Sequence, residues 1–187
     1  RSGLYQINHI PFMSQTLSGQ QLVSIAGEFG TPVYVYHAER IAEQYQKLQQ
    51  AFAKTDTRFF YACKALTNVN ILRYINGLVA SLDCVIINEV KLGLMAGFEP
   101  GNILYTPNCV DFEEILQVKE LGGHINIDNI SLLEQFGNRF AGSYPVCIRL
   151  NPHIMAGGNF KISTGHVDSK FGISIHQMRH IERVVKT

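Results

Sequence analysis

Charge of a single sign is scarce in this chain. Its 187 residues hold 16 basic and 15 acidic side chains, a formal net charge of +1, and no run of basic residues longer than two. Such a balance gives no support to binding of nucleic acid or an anionic membrane surface. Long apolar runs are also missing, so no transmembrane helix is indicated. The opening Arg1-Ser-Gly-Leu-Tyr-Gln-Ile-Asn-His9 lacks the apolar core of a secretory signal. Cysteine is limited to Cys63, Cys84, Cys109 and Cys147, with no Cys-x-x-Cys pair. That spacing argues against a disulfide framework or a zinc site. Each cysteine falls in or just after a predicted strand, where a thiol packs as a small apolar group, and a reducing cytoplasm is the expected setting. No Gly-x-Gly-x-x-Gly follows the first strand and no Walker loop occurs, so dinucleotide-binding and P-loop readings lack their phosphate cradle.

What is present is an alternation of strand and helix signals. Short apolar runs rich in β-branched or aromatic residues predict strands at 33–36, 58–62, 82–87, 103–106, 124–127 and 146–150. Ile41, Tyr45, Leu48 and Phe52 mark one face of a helix predicted over 38–53. Further helices are expected over 89–96, ending at Gly97, and over 111–121, ending at Gly122. Capping boxes are expected at Ser18 and Ser131, with Gln21 and Glu134 three residues on. Asn88 precedes the helix that starts at Glu89, which suits the positive end of its dipole and could also orient a pocket group.

The fold class is therefore α/β, and a (β/α) barrel fits best. A complete barrel needs about 250 residues and eight strands. Leaving out 33–36, the pattern supplies about five of eight, so a partial barrel belonging to a longer protein is expected.

One residue stands out chemically. In Arg58-Phe-Phe-Tyr-Ala-Cys-Lys-Ala65 an apolar strand ends on a lone ammonium, Lys64. Burial there disfavours the charged form, and a neutral amine is a nucleophile able to form a Schiff base. The competing reading is a lysine that snorkels into water from a strand end.

Tyr61-Ala-Cys-Lys-Ala65 resembles the cofactor-lysine motif of pyridoxal-phosphate (PLP) enzymes with the alanine-racemase-like barrel, and among these the basic amino-acid decarboxylases. Further matching segments follow in order: Phe29-Gly-Thr-Pro-Val-Tyr-Val-Tyr36, Leu82-Asp-Cys84 with Asn88-Glu89, and Ala96-Gly-Phe98 with Ile103-Leu-Tyr-Thr-Pro-Asn108. Ile125-Asn-Ile-Asp128, and Ile148-Arg-Leu-Asn-Pro152 with Thr164-Gly165 and Ser169-Lys-Phe-Gly172, complete the series.

The resemblance implies pyridoxal 5'-phosphate as cofactor, held by Lys64 through a Schiff base. Asp83 and Arg149 would line its pocket, with Ala62 packed close beneath and Asn108 nearby. Taken alone, Asp83 reads equally as a turn aspartate, Arg149 as a structural ion pair and Asn108 as a turn asparagine. The implied activity is that of a carboxy-lyase converting meso-2,6-diaminopimelate to L-lysine. Another basic amino-acid or carboxynorspermidine decarboxylase, or a non-catalytic PLP-binding barrel, is the alternative. The resemblance also implies a homodimer for the full-length protein, a 1–30 extension packing on a C-terminal β-domain outside this chain, and 31–187 as barrel. This chain alone is expected to be inactive.

Other features have plainer readings. His176 and His180 lie four apart, but with no acidic residue near them a solvated helix face is expected rather than a metal site. Asn129-Ile-Ser131 matches a glycosylation sequon, yet Ser131 is read as a helix cap. Residues 155–161 are read as a mobile loop, and Lys170 as half of an ion pair.

Overall fold

The computed structural model describes residues 16–154, 165 and 169–186. The chain divides into two compact units, Arg1–Thr57 and Arg58–Thr187. The loop expected at 155–161 lies outside the described residues.

In the first unit, α1 (Gly19–Phe29) starts where its sequence signal says it should. The Ser18 hydroxyl accepts from the Gln21 N–H, and the Gln21 side chain accepts from the Ser18 N–H at 2.8 Å, closing the expected capping box. Helix α2 (Ala38–Ala51) begins at His37, whose Nδ1 accepts from the Arg40 N–H. Glu43 receives both Arg40 and Lys47 from the neighbouring turns, at 2.6 and 2.7 Å. The strand expected at 33–36 is not formed. Those residues have β-type side chains but pair with no strand among the described residues, and Tyr34 is 88% exposed. Side-chain preference without a ladder partner does not make a strand.

The second unit is a wound α/β layer. Strands β1 (Phe60–Ala62), β2 (Ser81–Cys84), β3 (Ile103–Tyr105), β4 (His124–Ile127) and β5 (Cys147–Ile148) form one parallel sheet in sequential order. Helices α3 (Val69–Gly77), α4 (Ile87–Met95), α5 (Phe112–Leu121) and α6 (Ile130–Phe140) make the successive crossovers. One helix per crossover and unbroken strand order are the winding of a (β/α) barrel, as expected. The predicted fifth strand is interrupted: β5 stops at Ile148, and β6 (Leu150–Asn151) pairs instead with β7 (Ile173–Ser174) ahead of α7 (Met178–Lys186). Arg149 is the switch point. Its N–H bonds Ile127, while its carbonyl accepts from Ile173.

The core lies between the sheet and its helices. Leu82, Ile103, Tyr105, Ile125 and Ile127 are fully buried there, as is Cys84. Each large apolar side chain so buried contributes roughly 1.5–3 kcal/mol. Gly93 on α4 lets that helix approach the sheet: a Cβ at this position would lie 2.5 Å from Leu82 Cδ2 and 3.3 Å from Ile103 Cδ1. Gly93→Ala gains about 0.5–1 kcal/mol of helix preference but overpacks a closed core, which costs about 1–3 kcal/mol. The variant is expected to be less stable, with a lower urea midpoint and an unchanged slope.

Several helix starts differ from expectation. The N-cap of α4 is Ile86, not Asn88, and it has no side-chain cap of its own. Two carboxylates serve instead. Glu89 accepts from the Val85 N–H at 2.7 Å, and Glu114, on α5, accepts from the Ile87 N–H at 2.8 Å. Similarly α6 is capped by Asn129, which accepts from the Leu132 N–H, while Ser131 accepts from Gln135. Asn and Ser cap about equally well, so position decides: Asn129 holds the extended backbone of an N-cap and Ser131 already lies inside the first turn.

Candidate functional site

Side chains alternate across a strand, so residues two apart share a face. The register sets Ala62, Asp83, Leu104 and His124 abreast, and Asn126 beside Cys147. These positions belong to the face opposite the helices. They are half-buried or exposed, unlike the sealed Leu82, Ile103 and Ile125 set. Thr106 and Arg149 extend the same alternation at the carboxyl ends, where the Thr106 N–H bonds Cys84 and the Arg149 N–H bonds Ile127. The carboxyl ends of barrel strands are where such folds carry chemistry.

Lys64 follows Ala62 in a short 3-10 turn, Cys63–Ala65, directly after β1. It is exposed, not buried as expected. The turn takes the chain off the strand before residue 64. Tyr61 braces the turn by donating from its hydroxyl to the Leu66 carbonyl at 3.3 Å.

Asp83 is half-buried, and its Oδ1 accepts from the Thr106 hydroxyl at 2.7 Å. One carboxylate oxygen is thereby fixed and the other is left for a further partner. Asn108 donates through Nδ2 to Asp128 at 3.3 Å and to the Lys170 carbonyl at 3.4 Å. Asp128 is buried, and its other oxygen accepts from Asn129. The Arg149 guanidinium stacks over the Phe171 ring, 4.5 Å from its centroid, which restrains its plane. Lys170 also lies against that ring, at 5.4 Å, and forms no ion pair among the described residues.

The structure thus gathers Ala62, Asp83, Asn108 and Arg149 at one end of one sheet, with Lys64 on the turn after β1. Direct bonds join Asp83 to Thr106 and Asn108 to Asp128, but none joins Lys64, Asp83 and Arg149 to one another among the described residues. Sequence reasoning missed Thr106, Asp128 and Phe171. Strand alternation from Asp83 across to β3 was the signal that could have found Thr106.

The donor set is chemically suited to an anionic heterocyclic aldehyde. It has an accessible amine, a carboxylate with one oxygen fixed, and a guanidinium held on an aromatic shelf. Outside it, His180 is not on a bare solvated face: it bonds Glu134 of α6 at 2.8 Å, while His176, on a separate turn, stacks on His153. Cys63 and Cys84 are buried as expected, whereas Cys109 and Cys147 are exposed.

Comparison with known proteins defines the class. Residues 38–187 match the family described as pyridoxal-dependent decarboxylase, pyridoxal binding domain. The chain belongs to that family, and its cofactor is pyridoxal phosphate. More particularly, it is similar to the diaminopimelate decarboxylase of Methanothermobacter thermautotrophicus, 36% identical over 170 residues, covering 90% of this chain and 40% of that protein. It is 33% identical over 170 residues to the Escherichia coli K12 diaminopimelate decarboxylase, covering 88% of the chain and 39% of the relative. Among solved structures, a diaminopimelate decarboxylase from M. jannaschii in complex with L-lysine superimposes with a TM-score of 0.75 at 29% identity, over 88% of this chain and 41% of that one. The chain spans about 40% of the length of the relatives it matches.

Proposed function

We propose that the whole protein is a PLP-dependent carboxy-lyase that converts meso-2,6-diaminopimelate to L-lysine. The observation that carries this is Lys64, placed directly after the first strand of a parallel sheet whose sequence matches the pyridoxal-binding family. Relatives named for diaminopimelate, one of them solved with L-lysine, support the substrate.

Lys64 would hold the cofactor covalently through Nζ and release it to the substrate's amine. Asp83, steadied by Thr106, would keep a cationic nitrogen of the bound system protonated through its free oxygen. Arg149 would bind an anionic group of cofactor or substrate as a fixed fork. Ala62, lacking bulk beyond Cβ, leaves room for a flat ring against the sheet, and Asn108, oriented by Asp128, would donate to an oxygen at the rim. When bound, pyridoxal phosphate supplies an electron sink for the carbon that loses carbon dioxide.

A homodimer in a reducing cytoplasm is part of the same reading, with 1–30 as an extension that packs on a C-terminal domain of the whole protein. The exposure of Val23 and Phe29, 73% and 67%, supports that extension's having a partner. No described helix is long and apolar enough to cross a membrane.

The test is borohydride reduction of the PLP-loaded whole protein, followed by peptide mapping and assay of carbon dioxide release. A reduced adduct on Lys64 and turnover of meso-diaminopimelate are expected. An adduct on a different lysine would reject the site, and turnover confined to another diamino acid would reject the substrate.

A further inference from the structure

The pyridoxal reading leaves one buried cluster unused. Cys63 and Cys84 each come one residue after a registered pair, Ala62 and Asp83, so they sit side by side at the ends of β1 and β2. Both are 0% exposed. Glu89, in the first turn of α4 and 7% exposed, faces them. The two Sγ atoms and a Glu89 carboxylate oxygen all lie within 4.8 Å of one another. A buried carboxylate has acceptor capacity beyond a single hydrogen bond, and the two thiols beside it are only weak donors. The Val85 N–H supplies a bond to one Glu89 oxygen.

We propose that Cys63, Cys84 and Glu89 form a binding site for a thiophilic divalent cation of the Zn2+ or Cd2+ class. Two sulfurs select against the hard, oxygen-seeking Mg2+ and Ca2+. Tetrahedral Zn2+ takes sulfur at about 2.3 Å and carboxylate oxygen at about 2.0–2.2 Å. The donors need to close by on the order of 1 Å, which rotation of the side chains can supply. Binding breaks two S–H bonds, forms two metal–sulfur bonds and releases two protons to solvent, with no change of oxidation state. The resulting two thiolates and one carboxylate offset both the dication and the positive end of α4. Because Cys63 directly precedes Lys64, an ion here would tie the turn bearing that lysine to α4. The site's three donors are distinct from the residues assigned above to the cofactor, so its test does not depend on the pyridoxal reading.

The experiment titrates Cd2+ into reduced protein carrying Cys109→Ser and Cys147→Ser, which removes the two exposed thiols. A saturable thiolate-to-cadmium absorption band at one equivalent is expected, with a rise in melting temperature. Glu89→Gln, which keeps an oxygen for the Val85 N–H, should weaken binding by at least about tenfold. Adding Cys84→Ser should abolish the band, and Cys63→Ser should do the same. Circular dichroism establishes that each variant is folded, and Glu89→Gln carries the test if a cysteine variant is not. No band in the folded, reduced protein would overturn the proposal. So would an unchanged band after Cys84→Ser, or unchanged affinity after Glu89→Gln.

Discussion

Lys64→Ala in the whole protein is expected to reduce carbon dioxide release from meso-diaminopimelate on the order of 10³-fold or more, as loss of a covalent group typically does. The fold should survive, because residue 64 lies exposed on a short turn and buries nothing. Lys64→Arg should be equally inactive. It keeps the positive charge and the long stem, but its guanidinium stays protonated at any working pH and cannot act as an amine nucleophile. That pair of variants separates chemistry from electrostatics: recovery in Lys64→Arg would mean that only charge is needed at this position. Added methylamine should restore part of the activity in Lys64→Ala, because a free amine can take over the exchange. The readouts are initial rate and the absorption of bound cofactor, which should shift in Lys64→Ala even where the cofactor is retained.

Much of this site was legible in the chain because it depends on local order. The segment Tyr61-Ala-Cys-Lys64 needs only the position of the lysine just after the strand. The alternation that brings Ala62 beside Asp83 follows from two neighbouring apolar runs. What was not legible depends on partners far along the sequence. Residues 33–36 have strand-forming side chains, but no partner strand joins them among the described residues. The cap of α4 looked like Asn88 because capping rules are local, whereas the groups that serve are Glu89, reaching back, and Glu114, from 27 residues on. His180 looked solvated because Glu134 lies on another helix. Cys63 and Cys84 looked unrelated because their spacing of 21 residues is a full crossover, and only the parallel register makes them neighbours.

The largest stability effect is expected at Glu114. Its Oε1 accepts from the Tyr105 hydroxyl at 2.5 Å and from the Ile87 N–H at 2.8 Å, joining β3, α4 and α5 at one atom. Glu114→Ala strands two donors. One is on a fully buried ring, and each unsatisfied group costs about 1–3 kcal/mol when buried; because both bonds are part-buried, a loss of up to about 2–6 kcal/mol is expected from urea unfolding. Glu114→Gln keeps an acceptor oxygen and should lose less. Tyr105 adds a pH signature. Burial first, then its bond to Glu114 and the negative charges around it, push its phenol well above the ordinary value near 10. Above pH 10 the unfolded tyrosine gives up its proton while the folded one keeps it, so the unfolded state binds fewer protons and stability falls as pH rises. The contribution is fully present below pH 10 and declines by up to about 1.4 kcal/mol per pH unit above it. Tyr105→Phe removes this group from the balance. Its stability curve should therefore fall less steeply between pH 10 and 11 than that of the unmodified protein, with Tyr61 and Tyr144, whose phenols burial also raises, titrating in both. Parallel curves would mean that Tyr105 is not held protonated by the Glu114 network, and the account of how α4 is anchored to the sheet would then have to be abandoned.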